Sequence, residues 1–380
     1  MRLLLMFAAL LALAGCSSSG ELKPSPLVDV DNQIVFKKVW SRDTGGGQDQ
    51  RYTLLKPAFA NGQVYAMDID GRVSAYAAET GKRLWRSKLK LETSGGVGAY
   101  EKYLAVGTYD GEVVLLSAET GEEVWRQQVS TEVLSAPQLN SELVVVHTID
   151  GKLHGISIAT GEKLWQYDNT HPALTSRGSS TPIVTETLVV AAFDNGKLIA
   201  LNPDNGIGQW DQRVAIPSGR TELERMVDID GSPLMVGDLI FAASLQGRLV
   251  AISRATGRGL WARDTSTYQN LASNGLAVFL TTADDTIQAY NVGNGEDVWT
   301  NEQMLRRQLT GPAYVQGLVM TADSEGYLHV LDASSGEYLG RKKINGSGIR
   351  SPLVVMGDKV LIFSNDGDLY LYSVTRKSES

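Results

Sequence analysis

The sequence holds a single cysteine, Cys16, in 380 residues. A disulfide framework and a cysteine-rich zinc site are thereby excluded. Histidine is scarce as well. His147, His154, His171 and His329 are scattered, with no metal-ligand spacing among them, so no metal site is expected. There is no excess of positive charge: 35 Lys and Arg stand against 43 Asp and Glu, a formal net charge of −8. Basic residues cluster no further than pairs such as Lys37-Lys38 and Lys342-Lys343. An acidic, unclustered surface argues against nucleic acid and against anionic lipid headgroups as partners. Long apolar runs are absent; Leu3 to Ala14 is about a dozen residues, too short to span a bilayer as a helix. No Ser, His and Asp set stands out as a nucleophilic triad. Gly95-Gly96-Val97-Gly98 looks like a nucleotide loop, but it opens a strand, and no helix N-terminus follows to meet a phosphate. No catalytic residue and no cofactor are assigned.

The lone cysteine has an informative context. A short positive start, Met1-Arg2, precedes the apolar run, which ends in Leu13-Ala14-Gly15-Cys16. This resembles the bacterial lipobox, in which cleavage before the cysteine is coupled to its acylation. The resemblance implies a signal peptide over residues 1–15 and lipidation at Cys16. Ser17, rather than Asp, follows the cysteine; by the sorting rule of such lipoproteins this implies the outer membrane. Several buried acyl chains anchor firmly, at about 0.8 kcal/mol per CH₂. Residues 16–33 read as a lipidated tether without periodicity, reaching at most ~60 Å when extended.

What the chain has in abundance is one sentence, repeated. Asp70 to Trp85 reads DGRVSAYAAETGKRLW, Asp110 to Trp125 reads DGEVVLLSAETGEEVW, and Asp150 to Trp165 reads DGKLHGISIATGEKLW. The first half continues at Asn195-Gly196, Gln246-Gly247, Asp285-Thr286, Glu325-Gly326 and Asp366-Gly367, which makes eight units. Thr-Gly-x-x-x-Trp recurs to Trp261, with looser copies ending at Trp210 and Trp299; a seventh begins at Ser335-Gly336 but ends at Gly340. A period near forty residues signals a radial or stacked repeat. In residues 137–165 the pattern predicts strands from Pro137, over Leu143–Thr148, over Leu153–Ile158 and at Lys163–Trp165, joined by glycine turns. Four antiparallel strands per unit and no helix between units predict an all-β, eight-bladed β-propeller over residues 34–376. The eighth unit, Pro352 to Tyr372, has three strands. Ile34 to Trp40 supplies the missing fourth strand and closes the ring, so that all seven tryptophans occupy one repeat position.

Gly-x-Leu-x-Ala-Leu-x-x-x-Thr-Gly-x-x-x-Trp resembles the repeat of eight-bladed pyrroloquinoline-quinone enzymes. Two functions of different class are consistent with that likeness. A quinoprotein dehydrogenase of this type uses a vicinal cysteine pair, which one cysteine cannot form, and carries long insertions that are missing here. The combination of lipobox, short tether and compact ring resembles instead the BamB family, non-catalytic scaffold lipoproteins of the outer-membrane β-barrel assembly machinery. That resemblance implies binding to the periplasmic (POTRA) domains of BamA at the periplasmic face of a Gram-negative outer membrane. Other Bam lipoproteins would be reached indirectly, and nascent outer-membrane proteins are a further candidate partner. Leu174-Thr175-Ser176-Arg177-Gly178 and Asp228-Ile229-Asp230 resemble two family segments that contact BamA. On that resemblance Leu174, Arg177, Asp228 and Asp230 are the partner-binding residues, with Ser176 where the family often has an apolar residue. Spacing gives separate support. The connections Trp165–Pro182 and Trp210–Pro233 are longer than the dozen residues usual between units, and they are neighbours on one face of the ring. Binding residues tend to sit on loops held by a rigid scaffold. From the residues alone, other readings stay open: Arg177 as a solvated loop charge or a local ion pair, Asp228 and Asp230 satisfying turn N–H groups or holding a cation, and Arg177 paired with the two aspartates across the adjacent loops.

Overall fold

The computed structural model describes residues 23–48, 54–170, 172, 174–175, 180–221 and 223–377. Eight four-stranded antiparallel sheets follow one another around a ring. Seven are built from consecutive strands. The eighth joins Val354–Met356, Lys359–Phe363 and Asp368–Arg376 to the N-terminal strand Ile34–Asp43. That closing strand runs three residues beyond the expected Trp40 and pairs from Ile34 with Arg376 to Asp43 with Asp368, interrupted by a bulge between Lys38 and Trp40. In the third blade the strands are Gln138–Leu139, Leu143–Thr148, Lys152–Ser157 and Lys163–Asp168, within a few residues of expectation.

Burial follows from the stacking of blades. The second strand of the third blade is buried at every position, whereas its fourth strand alternates around a buried Trp165. A middle strand has a neighbouring blade on both faces, so it can be apolar throughout; an outer strand has water along one edge. The hydrophobic clusters lie between adjacent blades, such as Val144, Val146 and Ile156 of blade three against Ala105, Val113 and Leu115 of blade two.

The repeated tryptophan and glycine explain each other. Trp125 donates its indole N–H to the Ile158 carbonyl of the next blade at 2.7 Å. Its ring lies against Gly161 of that blade's Thr-Gly turn, 3.0 Å from where a Cβ would stand. Gly161 also has φ +73°, so the position excludes a side chain on two counts. The same pair recurs from Trp40 on Gly81 to Trp299 on Gly336. Blade eight has no such turn, because its outer strand comes from the other end of the chain. The tryptophan position in the fourth strand of blade seven is accordingly Gly340, where Asn32 packs instead.

Two details differ from the sequence alignment. In blade six the left-handed turn residue is Asp285, φ 71°, and in blade five it is Gln246, φ 48°. Each stands one residue earlier than the aligned Thr286 and Gly247. Residues 23–33 are also more than a tether. Ser25 N–H donates to Leu305 O at 3.0 Å, Arg307 Nη1 to Ser25 O at 3.0 Å, and Gln33 N–H to Leu339 O at 2.9 Å. Val28 and Val30 pack on the cluster around Trp299 and Tyr338. This strap docks along blade seven and leads into the closing strand. Cys16 and the expected signal peptide lie outside the described residues. No helix among the described residues is long and apolar enough to cross a membrane.

Candidate functional site: an acidic centre between two enlarged connections

Both long connections join a fourth strand to the next first strand, so they emerge on the same face of the ring. One follows Lys163–Asp168 and the other follows Gly208–Arg213. Their bases are tied together where Ser180 Oγ donates to Gly231 O at 3.1 Å. The second connection is anchored by Val227 and Ile229, both buried, with Ile229 in the cluster between blades four and five. Leu245 N–H donates to Asp228 O at 2.9 Å. Asp228 is thus held between two core residues, and its side chain is fully buried.

A third acid joins it. Asp194, on the hairpin turn of blade four, brings its carboxylate to Asp228 and Asp230, with the three donor oxygens within 4.8 Å of one another. Burial first, then repulsion from Asp228 and Asp230, pushes the Asp194 carboxyl up to about 8. Each of these carboxylates disfavours ionisation of its neighbours. At neutral pH Asp194 therefore holds a proton, and the centre carries less than its formal charge. Sequence reasoning missed Asp194 because it looked like one more turn residue of the repeat; nothing local marks it.

Asp228 and Asp230 are thus brought together, Asp228 buried and Asp230 partly open. Leu174 is exposed on the first connection at 44%. Arg177 and Ser176 lie outside the described residues. The second connection adds two apolar residues that the sequence reading did not single out, Ile216 and Leu223, exposed at 65% and 64%. Leu223 sits in a turn pinned by Glu224, whose Oε2 accepts from the N–H of Arg220 at 2.7 Å and of Thr221 at 3.2 Å. These N–H groups hold the Glu224 carboxyl below its ordinary value.

One cluster elsewhere has the residue types of a triad. Ser130 Oγ is 3.1 Å from His154 Nε2. Asp150, however, accepts from the Ser130 and Thr148 hydroxyls, while His154 Nδ1 has no partner among the described residues. Burial, the larger cause, and the nearby Lys163 bring His154 down to about 4. A base needs a carboxylate on its far nitrogen; here the carboxylate sits on the hydroxyl.

The family model described as "Outer membrane protein assembly factor BamB" matches residues 69–301 and 283–378. The protein of that name from Pseudomonas aeruginosa is 48% identical over 373 residues, covering 97% of this chain and 98% of the relative. The Escherichia coli K12 protein of the same name is 35% identical, with 96% of each chain covered. The crystal structure of BamB from Moraxella catarrhalis superposes with a TM-score of 0.82 at 26% identity, over 89% of this chain and all of that one. A quinohemoprotein alcohol dehydrogenase from Comamonas testosteroni superposes with a TM-score of 0.71 at 14% identity, a likeness of fold alone. The chain belongs to the BamB family of outer membrane protein assembly factors, which are not enzymes.

Proposed function

We propose that this protein is a scaffold lipoprotein, anchored through Cys16 at the periplasmic face of the outer membrane, that binds the periplasmic POTRA domains of BamA and so assists the folding and insertion of outer-membrane proteins. The observation that carries the reading is the pair of enlarged connections. They are neighbours on one face of a rigid ring, they hold an acidic centre, and they expose Leu174, Ile216 and Leu223. Exposed apolar residues beside fixed charge suit a specific protein contact. Ile216 and Leu223 supply the apolar area that Ser176 does not.

Roles divide by exposure. Leu174 and the partly open Asp230 touch the partner, with Arg177 as the cationic member. Asp228, fully buried, positions Asp230 and Asp194 rather than meeting the partner itself. Charges at such a rim set orientation and association rate.

The test is purification of the tagged, full-length protein from envelope extracts with identification of the co-purifying chains. Recovery of BamA with the wild type, and its loss in Asp230→Ala and Arg177→Ala variants of unchanged melting temperature, is the expected result. Equal recovery from the variants would move the binding face elsewhere on the ring. In the same extracts Cys16→Ser should leave the membrane fraction once the partner complex is dissociated.

A further inference from the structure

Blade seven breaks the repeat along its outer strand, and the chain's own strap fills the break. In blades one, two, three, five and six the residue before the tryptophan (Leu84, Val124, Leu164, Leu260 or Val298) is exposed. Its counterpart in blade seven, Leu339, is buried. Gln33 N–H donates to Leu339 O at 2.9 Å, and Ile34 packs in the same cluster. One position on, where those blades carry tryptophan, Gly340 leaves room for Asn32. A Cβ on Gly340 would stand 2.4 Å from Asn32 Oδ1, which accepts from the Arg341 N–H at 2.7 Å. This edge is shaped for the segment that covers it.

Three arginines fasten the strap, each through a backbone carbonyl. Arg306 Nε donates to Lys23 O at 2.9 Å, Arg307 Nη1 to Ser25 O at 3.0 Å, and Arg341 Nη1 to Val28 O. Hydrogen bonds from a guanidinium are stronger than neutral ones, and its rigid fork of donors fixes direction as well. Arg307 is itself locked, almost fully buried, on Asp323 and Glu325. Val28 and Val30 add their packing beside Trp299 and Tyr338. A segment that only bridged a distance would need none of these contacts. The two ends of the strap lie on opposite faces of the ring. Lys23 and Ser25 meet the connection between blades six and seven, where Arg306 N–H donates in turn to Asp284 O at 3.2 Å, on the turn between the second and third strands of blade six. Both that connection and that turn belong to the face of the enlarged connections. Gln33 is at the other face, where its carbonyl accepts from Lys377 N–H at 2.8 Å, just past the last strand.

We propose that the strap is a positioning device: it fixes the exit of the N-terminal segment at the rim of blade seven, on the face of the enlarged connections, so that lipid anchor and partner meet the ring on one face. The inference rests on the reading of Cys16 as the anchor and of those connections as the partner surface. From Cys16 to Lys23, the first fastened residue, is seven residues, a reach of at most about 25 Å. With the strap released the free segment would run to Gln33 on the opposite face, seventeen residues on, and would reach about 60 Å. Docking thus shortens the tether by more than half and changes the face from which it leaves.

Pulsed dipolar EPR on the soluble chain beginning at Cys16 tests it. Cys16 is the only native thiol and carries one nitroxide. The second goes on Ala283→Cys, exposed on the face of the enlarged connections, or on Glu337→Cys, exposed on the opposite face of blade seven. The mean distance from Cys16 should be shorter to position 283 than to position 337. Val28→Asp combined with Val30→Asp puts two charges where the strap packs and should release it. The order of the two distances should then reverse, the mean to position 283 growing by at least about 10 Å. Circular dichroism at 25 °C checks that the ring, which these substitutions do not touch, stays folded. A wild-type mean equal or shorter to position 337 would overturn the proposal without any strap variant, as would a folded double variant with both distances unchanged. The soluble chain carries neither acyl group nor partner, so these distances judge the strap separately from the acylation of Cys16 and the binding of BamA.

Discussion

Replacing Asp194 by Asn should stabilise the protein at pH 8 and leave it unchanged below about pH 4. The Asp194 carboxyl rises from an ordinary value of 3.8 to about 8 in the fold, through burial and the neighbouring Asp228 and Asp230. Below the ordinary value both folded and unfolded chains are protonated, and the group contributes all it can. As pH rises toward 8 the unfolded chain releases a proton that the folded chain keeps, and this contribution is lost. Four units at about 1.4 kcal/mol each set a ceiling of about 5–6 kcal/mol. The group is only half-buried and is coupled to two neighbouring carboxylates, so the expected loss between pH 5 and pH 8 is about 2 kcal/mol. Asn reproduces the protonated carboxyl without its titration. Urea unfolding of wild type and Asp194→Asn at pH 5, 6, 7 and 8 reads the effect, as midpoints that diverge with rising pH at constant slope. Parallel midpoints across that range would refute the clustering of the three acids. At pH 7 the variant should also bind its partner as the wild type does, because Asp194 is already mostly neutral there.

Trp40→Ala should cost about 3–5 kcal/mol, because the indole is 5% exposed, lies on Gly81, and donates to Ala78 O at 2.8 Å across the ring closure. An unchanged melting temperature would remove Trp40 from the seam. A chain beginning at Asp31 should melt several degrees lower than one beginning at Lys23. It loses the packing of Val28 and Val30 and leaves the side chain of Arg307, 3% exposed, without the Ser25 carbonyl, together about 2–3 kcal/mol. Identical melting curves would show the strap to be dispensable.

The ring was legible because each blade repeats the chemistry that joins it to the next. The tryptophan, the left-handed glycine and the short turns recur at fixed offsets, and the incomplete last unit matches the spare first strand. What the repeat hid was whatever departs from it in space. Asp285 and Gln246 take left-handed turns in place of glycine, so an alignment on glycine slips by one residue there. The strap carries no strand periodicity; carbonyl acceptors for Arg307 and Arg341 hold it, and no spacing rule encodes them. In the site, the long connections were visible as spacing, but their chemistry was visible only in part. Asp194 belongs to the centre through the adjacency of blade four to the second connection. The burial of Asp228 depends on Val227 and Ile229 facing the core, which an irregular segment does not advertise. Ile216 and Leu223 look like ordinary loop residues until their exposure is known.

The most direct test of the account is the affinity of the purified soluble chain, beginning at Lys23, for the isolated periplasmic domains of BamA. It is to be compared among wild type, Asp230→Ala, the pair Leu174→Ser and Leu223→Ser, and Asp110→Ala on a regular short turn. Truncating a desolvated charge costs about 2–5 kcal/mol, so the account predicts at least a thirtyfold loss for Asp230→Ala. A comparable loss is expected for the apolar pair, and wild-type affinity for Asp110→Ala, with all melting temperatures within a few degrees. Wild-type affinity in both site variants would contradict it.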